Sequence, residues 1–207
     1  MSARDASYAA IAATRPRVQV AGDIVEHFMA RLGKQGGHCH RARDDASARV
    51  WLASLARPDE PLMLTTEDPW LQQVLALPGP ALPQYVPATS GPLTGLALTT
   101  AIAAVAETGS LLLHPRAGAP MGLNFLSDRL VVLVRAADVL RNLEDLWVRV
   151  RAEFGADTPR ALSLVSGPSS SGDIGMQFAT GVHGPIELHA LIVGDDHPKA
   201  TRPTSPP

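Results

Sequence analysis

The chain has 207 residues, 45% of them apolar, and a formal net charge of −2 at neutral pH. That length can bury a sizeable core within one domain, and the nearly balanced charge argues against the basic footprint of a nucleic-acid binder. Cys39 is the single cysteine; an internal disulfide is therefore excluded, and a cluster needing about four Cys ligands is not expected in this chain.

Met1 to Thr14 carries Arg4 and Asp5 and lacks an apolar h-region, so no secretory leader is expected. Ser2 to Ala13 reads as a short helical arm ended by Pro16, giving an N-terminal arm over residues 1–18. Gln19 to Leu32 is an amphipathic helix, since Val20, Ile24, Val25, Phe28, Met29 and Leu32 follow the 3.6 period. Gly36-Gly37 stops it, and His38-Cys39-His40-Arg41 follows as a short strand. Asp44 or Asp45 caps a helix to about Leu55, with Val50, Leu52 and Leu55 expected inward. Pro61 to Leu64 is a brief strand, and Thr66 opens a helix through Trp70, Val74 and Leu75. Five prolines between Pro78 and Pro92 exclude a long regular element there.

Leu93 to Ala106 is the longest weakly polar run. It falls short of the roughly 20 apolar residues a bilayer crossing needs, so no membrane span is expected and a cytoplasmic location is. Within Leu93 to Leu113, periodicity does not separate a buried helix from buried strands. Gly109 and the ending Ser110-Leu111-Leu112-Leu113 favour strands at Leu96 to Thr99 and Leu111 to His114, with a helical turn over Thr100 to Val105. Arg129 to Arg135 is a strand buried on both faces. Asn142 to Phe154 is a helix with Leu143, Leu146, Trp147 and Val150 on its apolar face. Strands at Ala161 to Val165 and Glu187 to Val193 complete the sheet, and residues 194–207 form a disordered tail. The pattern implies a single α/β domain over residues 19–193, a mostly parallel sheet flanked by helices. Such sheets take ligands beyond the carboxyl ends of their strands, which points to the loops after Val105 and Val165.

Three segments carry candidate chemistry. Ser166-Gly167-Pro168-Ser169, with Ser170, Ser171 and Asp173 behind it, reads either as a nest of N–H groups for an anion or as a strand-to-helix turn capped by Ser170 or Ser171. His183, between Gly181 and Gly184-Pro185, is either a general base or donor to a carboxylate, or an imidazole that locks a turn. Glu107, in Glu107-Thr108-Gly109-Ser110, is a carboxylate in apolar surroundings, facing a ligand or anchoring a nearby turn. His38-Cys39-His40 has a metal-site composition, but alternation puts Cys39 on the opposite face from both histidines, so a surface strand is expected and no metal site. Nucleotide P-loop, GxGxxG and GxSxG patterns are all missing.

At these motifs the sequence resembles the lactate-utilization protein C family (LutC/YkgG, the LUD-domain family). The words that match are Ala106-Glu107-Thr108-Gly109-Ser110, Ser166-Gly167-Pro168-Ser169, Asp173-Ile174 and Gly181-Val182-His183-Gly184-Pro185, in the family's order. The resemblance covers residues 19–193 and extends to Phe125-Leu126 with the strand from Arg129, and to the Gly-Gly-His around His38. It implies a fold of the NagB/RpiA and CoA-transferase type and a role beside iron–sulfur proteins that oxidise L-lactate to pyruvate. The clusters would then lie in partner chains, with no cofactor in this one. The implied ligand is a small anion, with Glu107, Thr108, Gly109, Ser166, Gly167, Ser169, Ser170, Asp173, His183 and Gly184 around it. Glu107 and His183 are the candidates for any catalytic role. This chain has Ile102 and Gly175 where the family often carries Asp and Glu. Besides an accessory or ligand-binding subunit, two other readings stand: an enzyme using Glu107 in the manner of CoA transferases, and a non-catalytic interaction module.

Overall fold

A computed structural model describes residues 20, 22–64, 68–83, 85, 95–114, 122–157, 159, 161–172, 178–180 and 184–194. In chain order its elements are α1 (Ile24–Lys34), β1 (His38–Ala42), α2 (Asp45–Leu55), β2 (Leu62–Leu64), α3 (Pro69–Ala76), β3 (Leu96–Thr100), β4 (Ala103–Val105) and β5 (Ser110–Leu113). Then come α4 (Leu123–Leu126), β6 (Arg129–Arg135), a 3-10 turn (Ala136–Asp138), β7 (Val139–Leu140), α5 (Leu143–Phe154), β8 (Ser163–Val165), β9 (Ser170–Gly172), β10 (Phe178–Thr180) and β11 (Glu187–Val193).

Each long helix starts on a side-chain cap that answers N–H groups the helix itself leaves free. Asp23 Oδ1 accepts from the amides of Val25 and Glu26 at 2.8 and 3.2 Å. Asp44 Oδ1 accepts from Ser47 at 2.7 Å and Asn142 Oδ1 from Asp145 at 2.8 Å. Asp68 begins α3, with Pro69 in the first helical position, where a missing N–H costs nothing.

The main sheet is all parallel, in the order β1-β11-β6-β3-β2. Central β6 reads Leu130-Val131-Val132-Leu133-Val134, each with no solvent exposure, as a parallel strand covered on both faces requires. One face packs on α2 and α3 through Leu52, Trp70, Leu71 and Val74. The other packs on Val25, Phe28 and Leu32 of α1 and on Ala104, Leu111 and Leu113 of a second sheet. That second sheet runs β7-β4-β5-β8, with β5 antiparallel to both its neighbours, and α5 covers its outer side through Leu146 and Val150. The mostly parallel α/β architecture expected from the sequence is therefore present, built around one parallel sheet and a smaller layer stacked on it.

Several elements differ from expectation. The first helix starts at Ile24 rather than Gln19, because Asp23 caps it. The third starts at Pro69 behind Asp68, later than Thr66. Ala103–Val105 is a strand rather than a helical turn, pairing with both Ser110–Leu113 and Val139–Leu140. Ser163–Val165 joins the second sheet and does not close the parallel one. Val50 and Trp147, expected inward, are half exposed, since Ala48, Arg49 and Leu52 face the core from α2 and Leu146 and Val150 from α5. The N-terminal arm and residues 195–207 of the tail lie outside the described residues.

Candidate functional site

The turn between β4 and β5 folds back on the last turn of α1. Gly109 has φ +67°, and a Cβ there would stand 2.6 Å from the Leu32 nitrogen and 2.8 Å from the Arg31 carbonyl carbon. Only glycine permits both that backbone and that approach. Arg31 Nε donates to the Glu107 carbonyl at 3.1 Å, and Gln35 Nε2 donates to the Thr108 carbonyl at 2.7 Å. The turn is thus docked on the helix by its own carbonyls.

Glu107 is half-buried, and its Oε2 accepts the Leu143 amide at 3.4 Å. That amide is the first of α5, so the carboxylate completes the capping begun by Asn142 and sits where a helix favours negative charge. Ile102, standing where the resembled family often has Asp, is 6% exposed and packs in the core under α5.

Ser110 is 1% exposed and its hydroxyl joins two motifs. It donates to Thr108 Oγ1 at 2.7 Å and lies 2.6 Å from Ser166 Oγ. Three hydroxyls therefore form one chain across segments 56 residues apart. The Ser166–Ser169 loop presses against the end of α1: a Cβ on Gly167 would stand 2.7 Å from the Gln35 carbonyl oxygen. The amide of Ser169 donates to the Pro185 carbonyl at 2.9 Å, and a Cβ on Gly184 would be 2.7 Å from that of Ser169.

The structure therefore brings Glu107, Thr108, Gly109, Ser166, Gly167, Ser169 and Gly184 to one corner, seated on the C-terminal end of α1. Asp173 and His183 lie outside the described residues. Ser170 opens β9, which pairs antiparallel with β10, so the expected strand-to-helix turn capped by Ser170 or Ser171 is replaced by a pair of strands. The loops after Val105 and Val165 also follow strands of the second sheet, not of the parallel one, so the carboxyl-edge rule does not select them.

A second polar group went unseen in the sequence because it depends on β1 pairing with β11. His38 and His40 do share a face, as alternation requires, while Cys39 packs on the α1 side and donates to the Met29 carbonyl at 3.7 Å. His38 stacks on His189. Beside them Arg129, 6% exposed, donates to Glu60 at 2.7 Å, to Glu187 at 3.0 Å and to the Leu55 carbonyl at 3.2 Å. Burial works against the Glu187 carboxylate, but bonds from His189 and Arg129 prevail and hold it below the ordinary range. Among the described residues no group of three or more His, Cys, Asp or Glu is placed to hold a metal ion. No helix among them is long and apolar enough to cross a membrane.

Residues 94–193 match the LUD domain family. The chain is 27% identical over 155 residues to the lactate utilization protein C of Geobacillus kaustophilus (strain HTA426), covering 73% of this chain and 60% of that protein. It is 30% identical over 91 residues to the uncharacterized protein YkgG of Escherichia coli (strain K12), covering 43% of this chain and 39% of that one. It thus spans between 39% and 60% of the length of these curated relatives. A crystal structure of a DUF162 family protein from Deinococcus radiodurans superposes with a TM-score of 0.58 at 20% identity, over 83% of this chain and 96% of that one, and shows the same fold. The motifs gathered on α1 fall within or beside the stretch that matches the LUD domain, and over that stretch the chain is similar to lactate utilization protein C and YkgG.

Proposed function

We propose that this protein is an accessory, ligand-binding subunit of an iron–sulfur-dependent system that oxidises L-lactate to pyruvate in the cytoplasm. The observation that carries the reading is the hydroxyl chain from Ser166 through Ser110 to Thr108, which unites two motifs on one helix end. The names of the relatives support the pathway. In this reading the clusters belong to partner chains and this subunit receives a small anion. The loop at Ser166 and Gly167, with His183, would meet the anion, because hydrogen-bond donors held by a rigid scaffold suit negative charge. Asp173 and Glu107 would orient those donors, and the engagement of Glu107 with α5 suits an orienting role better than that of a base.

The test is co-expression with the products of adjacent Cys-rich reading frames, followed by anaerobic purification. Coelution with an iron–sulfur protein is expected, with lactate-dependent dye reduction falling when this chain is omitted. Elution alone, or oxidation that proceeds unchanged without it, overturns the reading.

A further inference from the structure

The carboxyl edge of the parallel sheet holds a cation that the corner on α1 does not use. Arg135 is the last residue of β6, the middle strand, and lies on the face covered by α2 and α3. Its guanidinium carbon stands 4.1 Å over the ring of Trp70. That ring is fixed from below. The indole N–H of Trp70 donates to Asp45 Oδ1 at 2.9 Å, and its backbone N–H donates to Asp68 Oδ1 at 2.8 Å. The other oxygen of Asp68 accepts the Thr100 hydroxyl, at the end of neighbouring β3, at 3.1 Å. Trp70, Asp68 and Thr100 are each under 9% exposed, so the platform beneath Arg135 is rigid and fully engaged.

The other core-facing arginines are answered differently. Arg129 meets Glu60 and Glu187, Arg149 meets Asp138 and Glu153, and Arg49 donates from Nε and Nη2 to the carbonyls of Leu75 and Pro80, with its buried Nη1 left over. Arg135 has a π face and, among the described residues, no hydrogen-bond acceptor. Stacking occupies the face of a guanidinium and leaves the in-plane N–H fork available, which matches a carboxylate bidentately. The two nearby carboxylates are committed to Trp70 and Thr100. The location is the one where open parallel sheets take ligands.

We propose that Arg135, braced on Trp70 at the carboxyl edge of the parallel sheet, is the seat for a small carboxylate ligand. The choice of a small carboxylate rests on the function proposed above; the position of the seat does not.

Titration of the full chain with pyruvate, and separately with inorganic phosphate, tests this by calorimetry and by tryptophan emission. Saturable pyruvate binding that perturbs emission is expected, with phosphate weaker. Trp70→Phe should abolish the emission change, and Arg135→Gln should weaken pyruvate binding at least about tenfold, the scale of a charge-assisted fork. Should Arg135→Gln fail to fold, Arg135→Lys keeps the charge without the fork and should still lose affinity several-fold. Arg151→Gln, which removes an exposed cation in the last turn of α5, serves as the comparison and should leave affinity within about twofold. Phosphate binding alone, no binding, or pyruvate binding lost in Ser166→Ala but kept in Arg135→Gln each overturns the seat. Coelution with an iron–sulfur protein is read separately, so either proposal can fail without the other.

Discussion

The imidazoles of His38 and His189 lie face to face, 4.9 Å between centroids and 23° from parallel, at paired positions of β1 and β11. Trp51 of α2 meets His189 edge-on at 6.1 Å and stacks on His40 at 4.8 Å, so four rings from three elements form one ladder. Burial holds His189 below the ordinary histidine range, against the opposing bond to Glu187, and the charges of His38 and Arg129 push the same way as burial. The unfolded chain then takes up a proton near 6.5, the ordinary histidine value, while the fold still resists it. Stability from His189 is present above that pH and is lost as pH falls through the lower folded value. Urea midpoints should drop from pH 7.5 to 5.5, and His189→Gln should flatten the drop. Parallel slopes for the two proteins would refute the assignment.

Arg129 predicts a large stability loss. Its side chain is 7% exposed and that of Glu60 is 10% exposed. Removing one partner of such a pair strands the other, at a cost of about 3–5 kcal/mol. Arg129→Gln should therefore cost more than Glu187→Gln, whose carboxylate is 37% exposed. Equal losses in urea denaturation would show that the pair is not the source.

Gly109 and Gly155 form a matched test of conformation against contact. Both have positive φ, +67° and +54°, but a Cβ on Gly155 meets nothing within 4 Å. Gly155→Ala should cost only the penalty of its φ +54°, ψ −125° backbone, which L-residues avoid, about 1–3 kcal/mol. Gly109→Ala adds a clash with the α1 backbone and should lower the melting temperature further. Equal shifts would mean that α1 yields without cost.

Cys39 should be chemically silent in the fold. Burial pushes its thiol up to about 11, leaving little thiolate at pH 8, and the thiolate is the reactive form. Ellman's reagent should react slowly in buffer and promptly in urea. Equal rates in both would contradict the burial seen on the α1 side.

Much of the fold is legible from local pattern. The run Leu130 to Val134 and the Asn142 cap each state their element directly, because burial on two faces and a free helix end leave marks within a few residues. Thr100 to Val105 misleads because Ala and Val fit a buried strand and a buried helix equally well, and only pairing with β5 and β7 decides. Val50 and Trp147 mislead because an apolar residue at the margin of a helical stripe can fall on either side of the buried arc. The corner on α1 is legible in its motifs and illegible in its support: nothing near Arg31 or Gln35 announces that their side chains hold the turn at Glu107 and Thr108. Arg135 and Trp70 lie 65 positions apart, and no local signal joins them.

The docking of separate segments on α1 bears on where the protein can be cut. The stretch that carries the family match, residues 94–193, contains β3, β6 and β11 but neither β1, β2 nor α1. Excised, it would leave β11 and β3 with bare ladder edges and uncover Val131, Leu133 and Leu191, which pack on α2 and α3, a template for self-association. Gly109 and Gly167 would have no helix end to rest on. The stretch with the recognisable sequence is thus an incomplete folding unit, and the less recognisable residues 24–64 and 68–76 are what make it one.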